Sequence, residues 1–193
     1  MGNQFITSRF VKAFDLTNQL HAKQYRKDSN VPYVSHLLAV AALVLEDGGD
    51  EDQAIAALLH DAVEDQGGFE TLDIIEKQFG ERVARIVKGC SDSFITPKPS
   101  WIDRKQKYLT HLQDADQDIL RVSLADKLHN ARSILSDLRT QGDLVWERFN
   151  GGKDGTLWYY QSLLVIFRDR SISPLVKELA SVILRIEEIS GNP

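Results

Sequence analysis

The alternation of apolar and polar positions is helical along almost the whole chain. Phe10, Ala13, Phe14 and Thr17 recur at three- and four-residue spacing, which predicts a helix from Phe5 to Lys27 with those side chains on its inner face. Asp28-Ser-Asn-Val-Pro32 breaks the period. Tyr33 to Leu45 is apolar nearly all round, the pattern of a central helix. Asp47-Gly-Gly-Asp50 reads as a turn, and Asp50 stands where it can cap the next helix. In that helix Ile55, Leu58, Leu59 and Ala62 form one stripe, while His60, Asp61, Glu64 and Asp65 fall on the opposite arc; Gln66-Gly-Gly68 ends it. Helices are also expected over Thr71 to Gln78 and Glu81 to Lys88, parted by Gly80, and then over Ile102 to Leu112, Asp116 to Arg139, Thr156 to Phe167 and Pro174 to Ile189. Thr96-Pro-Lys-Pro-Ser100 and Asn150-Gly-Gly-Lys-Asp-Gly155 read as loops. With no repeat and no β-hairpin signal, the expected fold class is all-α, a compact bundle of about eight to ten helices by typical helix lengths.

Composition narrows the class. A chain of 193 residues favours one domain, and 42% hydrophobic with 26% charged residues predicts a soluble globular protein. No run reaches the roughly 18 apolar residues of a membrane helix. Met1-Gly-Asn-Gln-Phe5 lacks the basic-then-apolar order of a signal peptide, so a cytoplasmic location is expected. Cys90 is the only cysteine, which excludes an internal disulfide and a cysteine zinc cluster. A net charge of −5 argues against a nucleic-acid binder, yet leaves room for an anionic small ligand held by a local basic cluster.

The candidate chemistry lies on three helices. An imidazole and three carboxylates on one arc would, on an average helix, be a solvated acidic face. Here the helix before it carries His36 among apolar neighbours, and a later helix carries Asp126 in Leu124-Ala-Asp-Lys-Leu-His-Asn130. A buried aspartate is expensive unless paired or metal-bound. His36, His60, Asp61 and Asp126 together would bind one divalent ion, and imidazole with carboxylate suits manganese, iron(II) or zinc. Lys23, Arg26 and Lys27 stand at i, i+3 and i+4, hence on one face of the expected first helix, where a polyanion or a purine could be met. Arg104, Lys105 and Lys107 offer either a second phosphate contact or plain surface charge. His21, His111 and His129 are expected in structural or surface roles.

His…His-Asp…Asp is the signature of the HD-domain metal phosphohydrolases. Six blocks in order, Arg26-Lys27, Pro32-Tyr-Val-Ser-His36, His60-Asp-Ala-Val-Glu-Asp65, Phe79-Gly80, Ile86-Val-Lys-Gly89 and Leu124 to Asn130, resemble the hydrolase domain of the RelA/SpoT family. The resemblance is strongest over 21–138, with 139–193 read as helices completing a single domain over 1–193 in the layout of a stand-alone small alarmone hydrolase. It implies an HD-domain helical bundle and removal of the 3′-pyrophosphate from guanosine alarmones such as ppGpp and pppGpp. It implies a divalent metal, manganese, on His36, His60, Asp61 and Asp126, and water activation by Glu64 and Asp65. Arg26 and Lys27, with Lys23 beside them, match residues around the nucleotide base; Asn130 matches one near the ribose and phosphates. Trp158-Tyr-Tyr160 resembles a late aromatic motif that contacts substrate, and Tyr159 is taken as the contact. The implied partner is a small nucleotide, with neither nucleic acid nor membrane, and the oligomeric state is left open. Two departures stand out: Leu37 follows the first histidine where proline is common, and Asp28-Ser-Asn-Val31 sits beside the base site. An adenine alarmone, NADPH, a non-catalytic nucleotide sensor and a purely structural helical domain remain the alternatives; an intact Glu64 and Asp65 speak against the sensor.

Overall fold

The most apolar stretch of the sequence becomes the middle of the structure. In the computed structural model, which describes residues 6–92 and 99–191, α2 (Val34–Glu46) buries Leu37, Val40, Ala41, Leu43 and Val44 against α3 (Glu51–Leu59) and α8 (Gln117–Gln141). Around these three lie α1 (Ser8–Leu20), α5 (Gly68–Phe79), α6 (Glu81–Cys90) and α10 (Pro174–Ile189). α7 (Trp101–Asp114) packs on α9 (Gly152–Arg170), and a 3-10 helix, Gly142–Arg148, joins α8 to α9. Among the described residues there is no β-strand beyond one isolated bridge, and no helix is long and apolar enough to cross a membrane. The all-α expectation holds. Phe5, and Thr96 to Lys98 of the expected loop, lie outside the described residues.

The caps are those that the sequence advertises. Asp50 and Gln53 form a reciprocal capping box at the start of α3, and Asp116 accepts from the backbone N–H groups of Asp118 and Ile119 at the start of α8. Arg82 of α6 ties these two starts together, reaching Asp50 at 2.6 Å and Asp118 at 2.9 Å, and Arg85 adds Asp116 and Asp118. α6 approaches α8 closely at Gly89, where a Cβ would stand 2.5 Å from the Ile119 side chain. Gly80, at φ 94°, supplies the left-handed turn between α5 and α6.

Four expectations are corrected. The loop expected over Asn150 to Gly155 is already helical from Gly152, where α9 begins. α1 ends at Leu20, not Lys27: the His21 N–H caps on Thr17, and residues 24–33 fold back as a tight antiparallel turn. In that turn Arg26 N–H donates to Val31 O at 2.8 Å and Tyr33 N–H to Gln24 O at 2.9 Å. Phe14 is 37% exposed, so Ala13 and Thr17 alone of the expected inner face are buried. Finally, α3 is interrupted at His60 and Asp61, and α4 (Ala62–Asp65) resumes for one turn. α3 is buried on every side, because α1, α2, α6 and α8 all pack on it.

Candidate metal centre and nucleotide cavity

The first turn of α2, the α3–α4 interruption and the third turn of α8 meet at one buried point. In a regular helix, consecutive side chains diverge by about 100°. At the α3–α4 junction His60 and Asp61 nevertheless converge, with His60 Nε2 3.1 Å from Asp61 Oδ2. His36 Nε2 lies 3.2 Å from Asp126 Oδ1 and 3.5 Å from Asp61 Oδ2, and His60 Nε2 lies 3.6 Å from Asp126 Oδ1. Ligand atoms of His36, His60 and Asp126 all fall within 4.8 Å of one another.

The second contacts of these side chains fix their chemistry. His60 Nδ1 is 2.8 Å from the Ala57 carbonyl, an acceptor only, so Nδ1 carries the proton and Nε2 the lone pair. His36 Nδ1 is 2.8 Å from His129 Nδ1. Burial and the neighbouring His36 push His129 down to about 4, which keeps its ring neutral, so one of the two facing Nδ1 atoms donates and the other accepts. The Nε2 atoms of His36 and His60 are buried and without a hydrogen-bond partner among the described residues. Two such nitrogens facing two carboxylates form a donor set that could hold a divalent cation. Donors about 2.1 Å from a shared ion stand roughly 3.0–3.4 Å apart, close to the spacings seen. Without an ion, protons must do the same work. Burial opposes charge on His60, but Asp61 and Asp126 hold its pKa well above the usual imidazole value. Burial likewise opposes charge on Asp61 and Asp126, yet His60 on the first and Lys127 on the second hold both well below the carboxylate range.

The carboxylates are themselves held. Tyr33 Oη donates to Asp61 Oδ2 at 2.7 Å, and burial together with Asp61 raises the Tyr33 pKa so that it stays a donor. Lys127 Nζ donates to Asp126 Oδ2 at 2.6 Å and Asn130 Nδ2 to Asp126 Oδ1 at 2.5 Å. Arg26 Nη2 donates to Asn130 Oδ1 at 2.9 Å. The chain Arg26–Asn130–Asp126 therefore links the centre to a neighbouring cavity.

That cavity measures about 610 Å³. Arg26, Lys27, Lys105, Lys127 and Arg148 line it, against the carboxylates of Asp28 and Asp137 alone. A positive cavity in a chain of net charge −5 selects for a polyanion. Trp101, Tyr33, Tyr159 and Tyr160 supply aromatic wall. The Tyr159 hydroxyl is buried with no hydrogen-bond partner among the described residues. Trp158 is absent from the wall and packs edge-on to Trp101.

The structure brings Arg26, Lys27, Asn130 and Tyr159 to this cavity and leaves Lys23 exposed, away from its wall. The expected face of Lys23, Arg26 and Lys27 does not exist, because the segment is a turn and not a helix. Glu64 and Asp65 follow the centre by one turn on α4 and stand outside the cavity wall. Glu64 Oε2 accepts from the Asp92 N–H at 3.3 Å, and Asp65 Oδ2 from Gln24 Nε2 at 2.8 Å. Sequence reasoning assigned no role to Tyr33, Trp101, Lys127 or Arg148 and gave His129 a bland one. Lys127 and His129 lie inside a quoted motif, so a signal was present there; Arg148 arrives on a 3-10 helix that no pattern announced.

The family model described as an HD domain matches residues 13–157. A guanosine-3′,5′-bis(diphosphate) 3′-pyrophosphohydrolase MESH1 from Xenopus tropicalis is 38% identical over 127 residues, 64% of this chain and 68% of that protein. A probable GTP pyrophosphokinase from Mycobacterium leprae is 36% identical over 125 residues; the match takes in 64% of this chain but 15% of that much longer protein. Among solved structures, a metazoan SpoT orthologue described as hydrolysing ppGpp superposes with a TM-score of 0.77 at 25% identity, over 98% of this chain and 99% of the other. The family match and the histidine–aspartate centre agree: the chain belongs to the HD-domain family, in the RelA/SpoT branch that also holds the MESH1 proteins.

Proposed function

We propose that this protein is a divalent-metal-dependent hydrolase that removes the 3′-pyrophosphate from ppGpp and pppGpp, leaving GDP or GTP, and that residues 1–193 act as one hydrolase domain. The observation that carries the reading is the pair of buried, unpartnered imidazole nitrogens facing two carboxylates beside a cation-lined cavity. The activity for which the MESH1 relatives are named supports it. His36, His60, Asp61 and Asp126 hold the metal, for which we propose manganese. When bound, it supplies a lowered water pKa and neutralises charge on phosphoryl oxygens. Glu64 takes the proton of the attacking water, and Asp65 helps to hold that water in line. Arg26 and Lys27 embrace the base, while Asn130, Lys105 and Tyr159 face the ribose and phosphates. Water adds at the phosphorus joined to the ribose 3′-oxygen, the bond from phosphorus to that oxygen breaks, and pyrophosphate leaves intact.

Product analysis tests the reading. With manganese and ppGpp, the expected products are GDP and pyrophosphate in equal amounts, and Glu64→Gln should keep the metal while losing about 100-fold or more in turnover, the scale of general-base loss. Orthophosphate released from NADPH, with no pyrophosphate from ppGpp, pppGpp or ppApp, would replace it with a phosphomonoesterase. Tight binding without turnover on any of the four would make the protein a sensor.

A further inference from the structure

Asp92 follows α6 and belongs to no quoted motif, yet it touches both halves of the site. Its carboxylate is only 9% exposed and takes two cations. Arg104 Nη1 lies 2.9 and 2.7 Å from its two oxygens, and Lys105 Nζ lies 2.8 Å from Oδ2. Its backbone N–H donates to Glu64 Oε2. We propose that Asp92 is a positioning residue, whose carboxylate holds the Lys105 ammonium at the cavity wall while its N–H holds the Glu64 carboxylate. The inference rests on the hydrolase reading above.

The two cations on Asp92 do different work. Arg104 stays off the cavity wall, and its Nε donates to the Pro99 carbonyl, so it balances charge and anchors the carboxylate. Lys105 lines the cavity, with its ammonium 4.9 Å from the centre of the Tyr159 ring. Alone, that ammonium would be poorly placed. It is largely out of water, and Lys127 of α8 repels it; burial first, and Lys127 next, pull its pKa down. Asp92 and Glu64 are the carboxylates that oppose them. Asp92 is fit for this, because Lys105 and Arg104 overcome its burial and hold its own pKa at about 2. A charge-assisted contact of this kind fixes both the direction and the ionisation of the lysine. Through one residue, the group that meets substrate phosphate and the group that takes the water's proton share a single anchor.

A double-mutant cycle on the manganese-loaded protein tests this, with ppGpp as substrate and melting temperature recorded for each variant. Asp92→Asn should raise KM about tenfold and change kcat about threefold or less, the split expected of lost ground-state binding. Lys105→Met should do the same, and Asp92→Asn should add nothing to KM in the Lys105→Met background. An unchanged KM in Asp92→Asn overturns the proposal. So does a rise in KM of the same factor with Lys105 already removed, since Asp92 would then act through packing. If Asp92→Asn fails to fold, Asp92→Glu enters the same cycle, with a smaller rise in KM and the same coupling to Lys105 expected. Wild-type protein that turns over no nucleotide overturns the hydrolase reading instead, and the cycle is then read in nucleotide Kd, where the same coupling is required.

Discussion

Helix α3 carries a charged cluster at each end, and the two are built on opposite principles. At its start, Asp50 and Asp52 face Arg82, and Asp118 faces Arg82 and Arg85. Each of those carboxylates meets a guanidinium, and the arginines are 41% and 43% exposed. At its far end, His60 and Asp61 meet His36 and Asp126, with the histidines 1% exposed. Their Nδ1 atoms face the Ala57 carbonyl and His129, so their Nε2 atoms are the ones turned to the carboxylates. The first cluster is complete as it stands and serves the fold. The second sets two buried imidazole nitrogens against two carboxylates, an arrangement that calls for positive charge at its centre, which a proton on His60 or a bound cation can supply. Charge balanced by exposed guanidinium groups serves the fold; buried charge that a proton or a cation must balance is what a metal centre offers.

The largest expected effect breaks the second cluster. His60→Ala should take metal content from about one ion per chain to near zero by elemental analysis, with turnover lost alongside, since removing one of four donors opens the set. Metal should also raise the melting temperature of the wild type, because binding to the native state alone stabilises it by mass action. Full occupancy in both His60→Ala and Asp126→Ala would refute the ligand assignment. A smaller effect separates the cavity from the centre. Arg26→Ala with Lys27→Ala should raise KM by about tenfold or more while metal content stays at wild-type level, as expected when charge-assisted contacts to an anion are removed. Unchanged kinetics would place the base elsewhere. The smallest effect belongs to the first cluster. Arg82→Ala should cost about 1 kcal/mol or less in a urea melt, because the pairs are exposed, and the cost should shrink at 1 M salt. Loss of metal in Arg82→Ala would show that the two ends of α3 are not independent.

The same contrast explains what the sequence could carry. Local signals, such as the Asp50 capping box, the Gly80 break and the apolar run of α2, lie within a few residues of what they determine, and the structure agrees with them. The stop of α1 at Leu20 has no glycine or proline to announce it. It is set by the 24–33 turn, which in turn delivers Arg26 to Asn130, 104 positions away. Arg26 and Lys27 were therefore legible through motif resemblance and not through helical spacing, and Lys23, which rested partly on spacing, is not at the cavity. His129 looked ordinary because its importance lies in one contact with His36 across two helices. Asp92 and Arg148 were silent for the same reason: their partners are fixed by packing.

The interruption of α3 carries a lesson for anyone who would make this protein more robust. His60 and Asp61 are neighbours in the chain whose side chains meet at one point, just where α3 ends and α4 begins. Residues chosen from Leu59 to Ala62 for helix propensity alone would replace the two proposed ligands. Stability of the metal-free protein and metal affinity are thus expected to pull apart at this junction, and screens that reward only the melting temperature of metal-free protein will tend to select against the enzyme.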